Sequence, residues 1–364
     1  MKILLFGEFS GFMNSLKRGL TLLGHDVFLA SNGDGFKNFP SDFRWNQHIQ
    51  FKKCPKLNGI ISYFNIWLHK DLLKGYDVVL FIDPNYLKLY RFLNDPVYKY
   101  IIKHNNKIYL SGSGDTKHVF DYWYNSDTKY RHYYEGYLIS NPNFPYVKDK
   151  HNVKGWEDYL LSVIDGYIPI WYEYAEPFRN YPKLKKTIRI PIDINSQQYV
   201  PNQVKDDKVV FYHGINRECK GTRFIRKAFE IMEKSYSEHA EFIIAERLPF
   251  NEYMRVINKA NVIVDDANSY SIAMNGLFSL LKGKIVMGGA EPVANKELGI
   301  DGVNPVFNIN PDPEQICEVM KFIIDNRDKI EEWGLAGRKF VEKYHDCRDI
   351  AKQYEQIWLN DLNA

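Results

Sequence analysis

The residues best suited to chemistry lie in His213-Gly214-Ile215-Asn216-Arg217-Glu218-Cys219-Lys220-Gly221-Thr222. Arg217 offers a planar fork for phosphate oxygens, and Lys220 a compact ammonium. The apolar run Lys208-Val209-Val210-Phe211-Tyr212 precedes them. Phe224, Ile225, Ala228, Phe229 and Met232 follow at helical spacing. Both cations therefore fall between a strand and a helix start, with Thr222 as the expected N-cap. Two cations beside a helix N-terminus would clamp a diphosphate. A solvated basic loop has the same composition, and at this level both readings stand.

The second chemical stretch is Asn261 to Glu291, which reads as strand, polar loop, helix, strand and glycine turn. Val262-Ile263-Val264 ends in Asp265-Asp266, as a buried parallel strand does at a crevice. Asn268-Ser269-Tyr270-Ser271 then opens a helix carrying Ile272, Leu277, Leu280 and Leu281, with Ser271 as the expected N-cap. Gly283 stops it, and Ile285-Val286-Met287 runs to Gly288-Gly289. Helix-start N–H groups attract phosphate, so this unit is a candidate anion site; an ordinary strand-helix-strand unit with a satisfied loop is the alternative.

Stepping outward, the first half repeats the same grammar. Lys2 to Phe6 predicts a strand, Gly7 to Gly11 a loop, and Phe12, Leu16, Leu20 and Leu23 a helix closed by Gly24. Val27 to Ala30, Asp77 to Ile82, Lys107 to Leu110 and Val163 to Ile170 predict further strands. GxGxxG is absent, so Gly7 and Gly11 alone are a weak dinucleotide signal. Asp83 and Ser111 to Asp115 end two strands as crevice loops would. Residues 121 to 146 are crowded with aromatic side chains and lack periodicity, which predicts an irregular excursion. Pro191 and Pro201 mark Ile188 to Gln203 as an interdomain linker, and the tail from Pro313 onward is helical by periodicity.

At 364 residues the chain has room for two α/β domains. A net charge of +3 with 26% charged residues does not suggest nucleic acid, although a mildly basic patch could touch an anionic membrane surface. Four scattered cysteines without CxxC spacing argue against a disulfide framework or zinc site and fit a reducing, cytoplasmic compartment. No apolar run reaches membrane-spanning length. The 26 tyrosines could supply stacking faces for sugars or bases.

Together these features resemble the retaining glycosyltransferases of the two-domain GT-B type, in particular glycosyltransferase family 4. Gly214 through Gly221 is similar to that family's G-R-x-x-x-x-K-G phosphate loop, and Asn268 through Gly289 to its E-x-F-G-x-x-x-x-E-A-M-x-x-G-x-P-V-V segment. Ile215 stands where the family has arginine, and Tyr270 and Phe278 where it has two glutamates. A different carboxylate, Asp266 or Glu291, would then serve the ribose or sugar. The resemblance implies an α/β GT-B fold with two Rossmann-like doubly wound domains facing across a cleft. They would span 1–195 for the acceptor and 196–345 for the donor, with a helix at 346–364 packing back on the first. It implies metal-independent transfer, with retention, from a UDP- or GDP-sugar to a glycan or lipid-linked acceptor in surface polysaccharide synthesis, with no cofactor. Catalytic roles would fall on Arg217, Lys220 and Asp115. Donor contacts would fall on Gly11, Leu248, Tyr270, Ser271, Ala273, Met274, Asn275 and Glu291, and His118 would join the acceptor side. The rival expectation is a non-catalytic protein of the same fold that binds a nucleotide sugar or glycan, or scaffolds a partner enzyme.

Overall fold

The computed structural model describes residues 1–46, 55–87, 91–131, 134, 138, 145–149, 152–215, 218–246 and 250–363. The chain divides into two compact units. One comprises Met1–Val119, Lys148–Asp193 and Asp346–Ala364, the other Phe120–Val147 and Ile194–His345.

The first unit is built on a parallel sheet. Strand β1 (Lys2–Phe6) is buried from Ile3 onward, as a strand covered on both faces requires. Helix α1 (Phe12–Leu22) follows, and Gly24 at φ 87° reverses the chain into β2 (Asp26–Ser31). Then come β3 (Phe43–Arg44), α2 (Pro55–Leu68), β4 (Val78–Phe81), α3 (Arg91–Lys103), β5 (Lys107–Gly112), α4 (Lys117–Asn125, which from Phe120 belongs to the second unit), α5 (Val153–Val163) and β6 (Gly166–Pro169). Their order, β3-β2-β1-β4-β5-β6, changes direction between β1 and β4. The final helix, Cys347–Leu362, packs on α1, where a Cβ on Gly19 would lie 2.0 Å from the Cys347 carbonyl oxygen. Trp358 is wholly buried in this contact layer, and Tyr109 donates its hydroxyl to Asp361 at 2.7 Å.

The second unit repeats the scheme with β7 (Val209–Ile215), α6 (Thr222–Tyr236), β8 (Ala240–Glu246), α7 (Phe250–Lys259), β9 (Val262–Val264), α8 (Met274–Leu281), β10 (Ile285–Gly288), α9 (Pro292–Glu297), β11 (Phe307–Asn308), α10 (Pro313–Asp325) and α11 (Ile330–Tyr344). The strands are parallel in the order β11-β10-β9-β7-β8. Val209, Phe211, Val262, Val264, Ile285 and Met287 face Ile225, Phe229, Met232, Ile316 and Met320 in one apolar core. Asp312 caps α10, accepting from Glu314 N at 3.0 Å.

Several local expectations change. Val163 ends helix α5 and is not part of a strand. Residues 121 to 125 of the aromatic excursion are helical, and the described part of that excursion goes with the second unit. Thr222 is the first residue of α6 and Gly221 its cap, because φ +71° there suits glycine. Ser271 does not cap α8: it forms a bridge with Ala290, and the cap is Ala273. No helix among the described residues is long and apolar enough to cross a membrane.

Candidate functional site

In the second unit the strand order reverses between β7 and β9, and open parallel sheets bind ligands at such a point, outside the carboxyl ends of the strands. The loops leaving those two strands are clasped together. Ala267 N donates to Lys220 O at 3.1 Å, and Asn268 Nδ2 to Cys219 O at 2.9 Å. A side chain at Gly221 would crowd Ala267, whose Cβ lies 3.0 Å from the added carbon. Lys220 Nζ donates to Asp265 Oδ1 at 2.7 Å, and Asn275 Nδ2, in the first turn of α8, donates to the same oxygen at 2.9 Å. The Lys220 side chain is 17% exposed and that of Asp265 1%, so the ammonium is the member of the pair that can meet a ligand.

Burial opposes the charge on each partner, and the pairing outweighs it. The nearby carboxylates of Asp265 and Asp266 hold Lys220 above its ordinary range. Lys220 and Asn275 hold Asp265 below its own. The pair is thus ionised and fixes the cation beside α8, whose N-cap residue, Ala273, has no side chain able to cap it. The N–H groups of such a turn are those a bound anion meets. Asp265 Oδ2 and Asn268 Oδ1 are buried acceptors with no donor among the described residues; groups of this kind take a ligand hydroxyl or an ordered water.

His213 braces this junction from below. Its Nδ1 lies 2.7 Å from Val264 O and its Nε2 3.0 Å from Thr222 Oγ1. A carbonyl can only accept, so Nδ1 carries the proton and Nε2 accepts from the hydroxyl. Desolvation pushes the ring's pKa down to about 4, so the imidazole is neutral at pH 7. It ties β7, β9 and the start of α6 together and is buried away from any ligand.

Tyr270 and Glu291 occupy the neighbouring strand ends, after β9 and β10. The Tyr270 hydroxyl bonds Thr128 Oγ1 at 2.8 Å, and its ring packs on Tyr130 at 4.4 Å and Trp123 at 5.4 Å between centroids. Glu291 Oε1 accepts from Lys129 Nζ, Tyr130 Oη and Asn308 Nδ2, each at 2.8 Å. Burial raises the Glu291 pKa, but these hydrogen bonds outweigh it and hold the carboxyl below the usual range. Ser271, Met274 and Asn275 border the first turn of α8 beside the Lys220–Asp265 pair; Ser271 and Met274 are buried, Ala273 and Asn275 half-buried. Phe278 is half-buried on the face of α8 that carries Asn275, while Leu277, Leu280 and Leu281 enter the core. Arg217 and Leu248 lie outside the described residues.

In the first unit the corresponding reversal, between β1 and β4, is filled by the chain itself. Gly11 N donates to Glu8 Oε1 at 2.9 Å, and Asn14 N to Glu8 Oε2 at 3.0 Å. Burial raises the Glu8 pKa in spite of these bonds. Gly11, at φ 90°, therefore spends its N–H on Glu8. Asp115 is half-buried in the loop after β5, where Gly114 packs against the Asp83 carboxylate. His118 is held between two carboxylates, Nδ1 3.0 Å from Glu157 and Nε2 2.9 Å from Asp158. Burial lowers its pKa, but Glu157 and Asp158 outweigh it and raise the value, and the ring pins the two carboxylates together. Among the described residues, no group of three His, Cys, Asp or Glu side chains is arranged to hold a metal ion.

No protein-family model matches the sequence, and neither does any curated protein. Solved structures do match. The sucrose-phosphate synthase of Thermosynechococcus elongatus superposes with a TM-score of 0.63 at 12% identity, over 99% of both chains. Anabaena HepE, solved with UDP and glucose, gives 0.57 at 12% identity over 99% of this chain and 100% of its own. A Rickettsia africae glycosyltransferase gives 0.54 at 11% over 99% and 98%. The fold is GT-B. That likeness establishes the architecture expected from the sequence: two Rossmann-like domains of parallel strands.

The sequence reading assigns Lys220 and the N–H groups of Ser271 to Asn275 to one diphosphate. It missed Asp265 as the carboxylate between them, His213 as the brace, and Lys129 and Tyr130 as partners of Glu291. The Asp265-Asp266 pair at a strand end was a usable signal. Nothing local in Thr128-Lys129-Tyr130 marks its destination.

Proposed function

We propose that this GT-B protein transfers a glycosyl group from a nucleoside-diphosphate sugar to a glycan or lipid-linked acceptor. The observation that carries the reading is the Lys220–Asp265–Asn275 bridge at the strand reversal of the second unit. It holds a cation, fixed before any ligand arrives, at the N-terminus of α8, where a leaving diphosphate gains charge. HepE, which shares the fold, was solved with UDP-glucose as well as with UDP and glucose, which supports a UDP-sugar as the donor.

The donor's anomeric carbon–oxygen bond to phosphate breaks, and the acceptor oxygen bonds to that carbon. By the family resemblance, attack occurs on the same face, and the acceptor proton passes to the departing phosphate oxygen. Lys220 and the first-turn N–H groups of α8 stabilise the diphosphate; Arg217 would add a second cation. The reading gives the protein no metal or organic cofactor to hold. Acceptor contacts are assigned to the first unit, around Asp115. Leu57, Ile60, Phe64 and Leu68 are exposed along one face of α2, and this apolar stripe favours a lipid-linked acceptor at a membrane surface, as in surface polysaccharide synthesis.

The test is a panel of UDP- and GDP-sugars offered with lipid and glycan acceptors, with released nucleoside diphosphate followed by mass spectrometry and the product anomer by NMR. Turnover that Lys220→Ala abolishes is the expected result, and a product of inverted configuration would refute retention. The second reading, a binding protein without turnover, is favoured by Tyr270 and Phe278 at positions where the family has carboxylates. Nucleotide-sugar binding with no release on any acceptor would establish it.

A further inference from the structure

Three consecutive residues of the aromatic excursion place their side chains on three strand ends of the second unit. Thr128 meets Tyr270 after β9. Lys129 meets Glu291 after β10 and, at 2.8 Å, Asn310 after β11. Tyr130 meets Glu291 and packs its ring, tilted by 53°, against Tyr270. These contacts join a short segment from the first half of the sequence to residues more than a hundred positions away.

The bonding on Glu291 is lopsided. Oε1 takes three donors, while Oε2 receives none among the described residues. Its side chain is 15% exposed, and it follows β10, the strand next to β9, whose Asp265 anchors Lys220. An acid used only for packing would be expected to spread its donors over both oxygens, since each has lone pairs to satisfy. Saturating one oxygen with a cation, a phenol and an amide fixes the carboxylate's orientation and charge. The other oxygen is left as a rigid acceptor. The ligand chemistry that answers an ionised acceptor beside a diphosphate seat is a hydroxyl group.

We propose that Glu291 Oε2 accepts from hydroxyls of the transferred sugar, and that Lys129 and Tyr130 are positioning residues that hold it for this purpose. This rests on the nucleotide-sugar reading above and adds the division of labour within the site: Lys220 and α8 take the diphosphate, and Glu291 with its strap takes the sugar. It also commits to a sugar class. A carboxylate acceptor repels a carboxylate on the ring, so the donor is a neutral hexosyl nucleotide in preference to a uronosyl one.

The experiment uses the full chain in four variants, Glu291→Gln, Lys129→Met, Lys129→Arg and Tyr130→Phe. Each is titrated by calorimetry with UDP, GDP and their hexose and hexuronate derivatives without acceptor, then assayed for turnover. For all four, affinity for the free nucleoside diphosphate should stay within about twofold of wild type. Glu291→Gln and Lys129→Met should lose about tenfold or more in kcat/KM for the hexosyl donor, about 1.4 kcal/mol, and Lys129→Arg should recover most of it. Glu291→Gln should also narrow the preference for hexosyl over hexuronosyl nucleotides. If wild type binds the diphosphate and turns over a nucleotide sugar while Glu291→Gln and Lys129→Met do so equally well, the proposal is wrong and the parent reading stands. Loss seen only when a glycan acceptor is varied would move Glu291 to the acceptor and likewise overturn it. If wild type binds no nucleoside diphosphate, the parent reading fails and this inference with it. Tyr130→Phe, which removes the hydroxyl shared between Glu291 and Asn310 and keeps the ring contact with Tyr270, gives an intermediate loss if strap geometry matters and guards against misfolding of the bolder variants.

Discussion

Replacing Lys220 with methionine should destabilise the second unit in a way that depends on pH. The variant keeps the volume of the side chain but strands Asp265, whose carboxylate is 1% exposed, without its counter-ion. Breaking a buried pair from one side costs about 3–5 kcal/mol, because a charge stays buried and uncompensated. For a unit of this size the unfolding midpoint should fall by about 6–20 °C, at about 2–4 °C per kcal/mol. In wild type the pair depresses the Asp265 pKa, so its stabilisation is present above the unfolded value of about 3.9 and disappears as pH falls through the folded value below that. In the variant the same carboxyl is buried without a cation, its pKa rises above the unfolded value, and stability drops as pH climbs through that range. The penalty is therefore largest at neutral pH and small below about pH 4. Lys220→Met with Asp265→Asn should regain most of the loss, since neither charge remains. Thermal and denaturant melts of wild type, Lys220→Met and the double variant without nucleotide, from pH 4 to 8, measure this directly. A penalty under about 1 kcal/mol at pH 7, or one that ignores pH, would mean that Asp265 is not a buried ionised partner. Nucleotide affinity supplies a separate reading: one lost charged hydrogen bond, at about 1.5–3 kcal/mol, should weaken diphosphate binding by about 10- to 150-fold.

Other tests follow from the same geometry. His118 has a raised pKa between Glu157 and Asp158, so its contribution is complete below the unfolded value of about 6.5 and lost as pH rises through the folded one; His118→Gln should flatten that loss in melts taken from pH 6 to 9. Lys284 is buried, donates to Asn258 O and Ala260 O, and is pushed down to about 8, chiefly by desolvation. Wild type should therefore gain stability between about pH 8 and 10 relative to Lys284→Met, at no more than about 1.4 kcal/mol per pH unit. The α2 stripe predicts flotation with vesicles containing anionic lipid, reduced several-fold in Phe64→Ser/Leu68→Ser, whose side chains are 64% and 80% exposed and should leave the melting temperature nearly unchanged.

The elements that sequence periodicity could find were the buried ones. Ile3 to Phe6, Val209 to Tyr212 and Val262 to Val264 are continuous apolar runs because both faces of each strand are covered, and each became a strand. Strands β3 and β11 are two residues long, too short to carry a period. Val163 looked like strand because Val163-Ile164 is apolar and β-branched, yet it closes a helix whose buried face is Trp156, Leu160 and Leu161. Ser271 was the better cap by residue type, but a bridge to Ala290 holds its backbone, and α8 starts three residues later. Of the site, the individual groups were readable and the Lys220–Asp265 ion pair was not. Lys220 and Asp265 are 45 positions apart, and only the parallel alignment of β7 and β9 makes them neighbours. The docking of Thr128 to Tyr130 depends on tertiary contacts with no local signature.

The two units begin alike and end differently, and the difference assigns their roles. Each has a strand, a glycine-bearing loop and a helix at the point where its sheet reverses. In the first unit, that loop turns Glu8 inward onto the N–H groups of Gly11 and Asn14, so the helix start already holds a carboxylate. A phosphate there would have to displace a buried acid of its own sign. In the second unit, the carboxylate at the reversal stands one step back, in Asp265, and spends one oxygen on Lys220 and Asn275 together. The cation then lies between the acid and solvent, beside the start of α8, where the N-cap residue is Ala273. One architecture thus carries its own carboxyl group on the helix start in one half and a paired cation at the reversal in the other. Residue choice at Glu8, Lys220 and Asp265, more than the fold, confines the phosphate chemistry proposed here to the second unit.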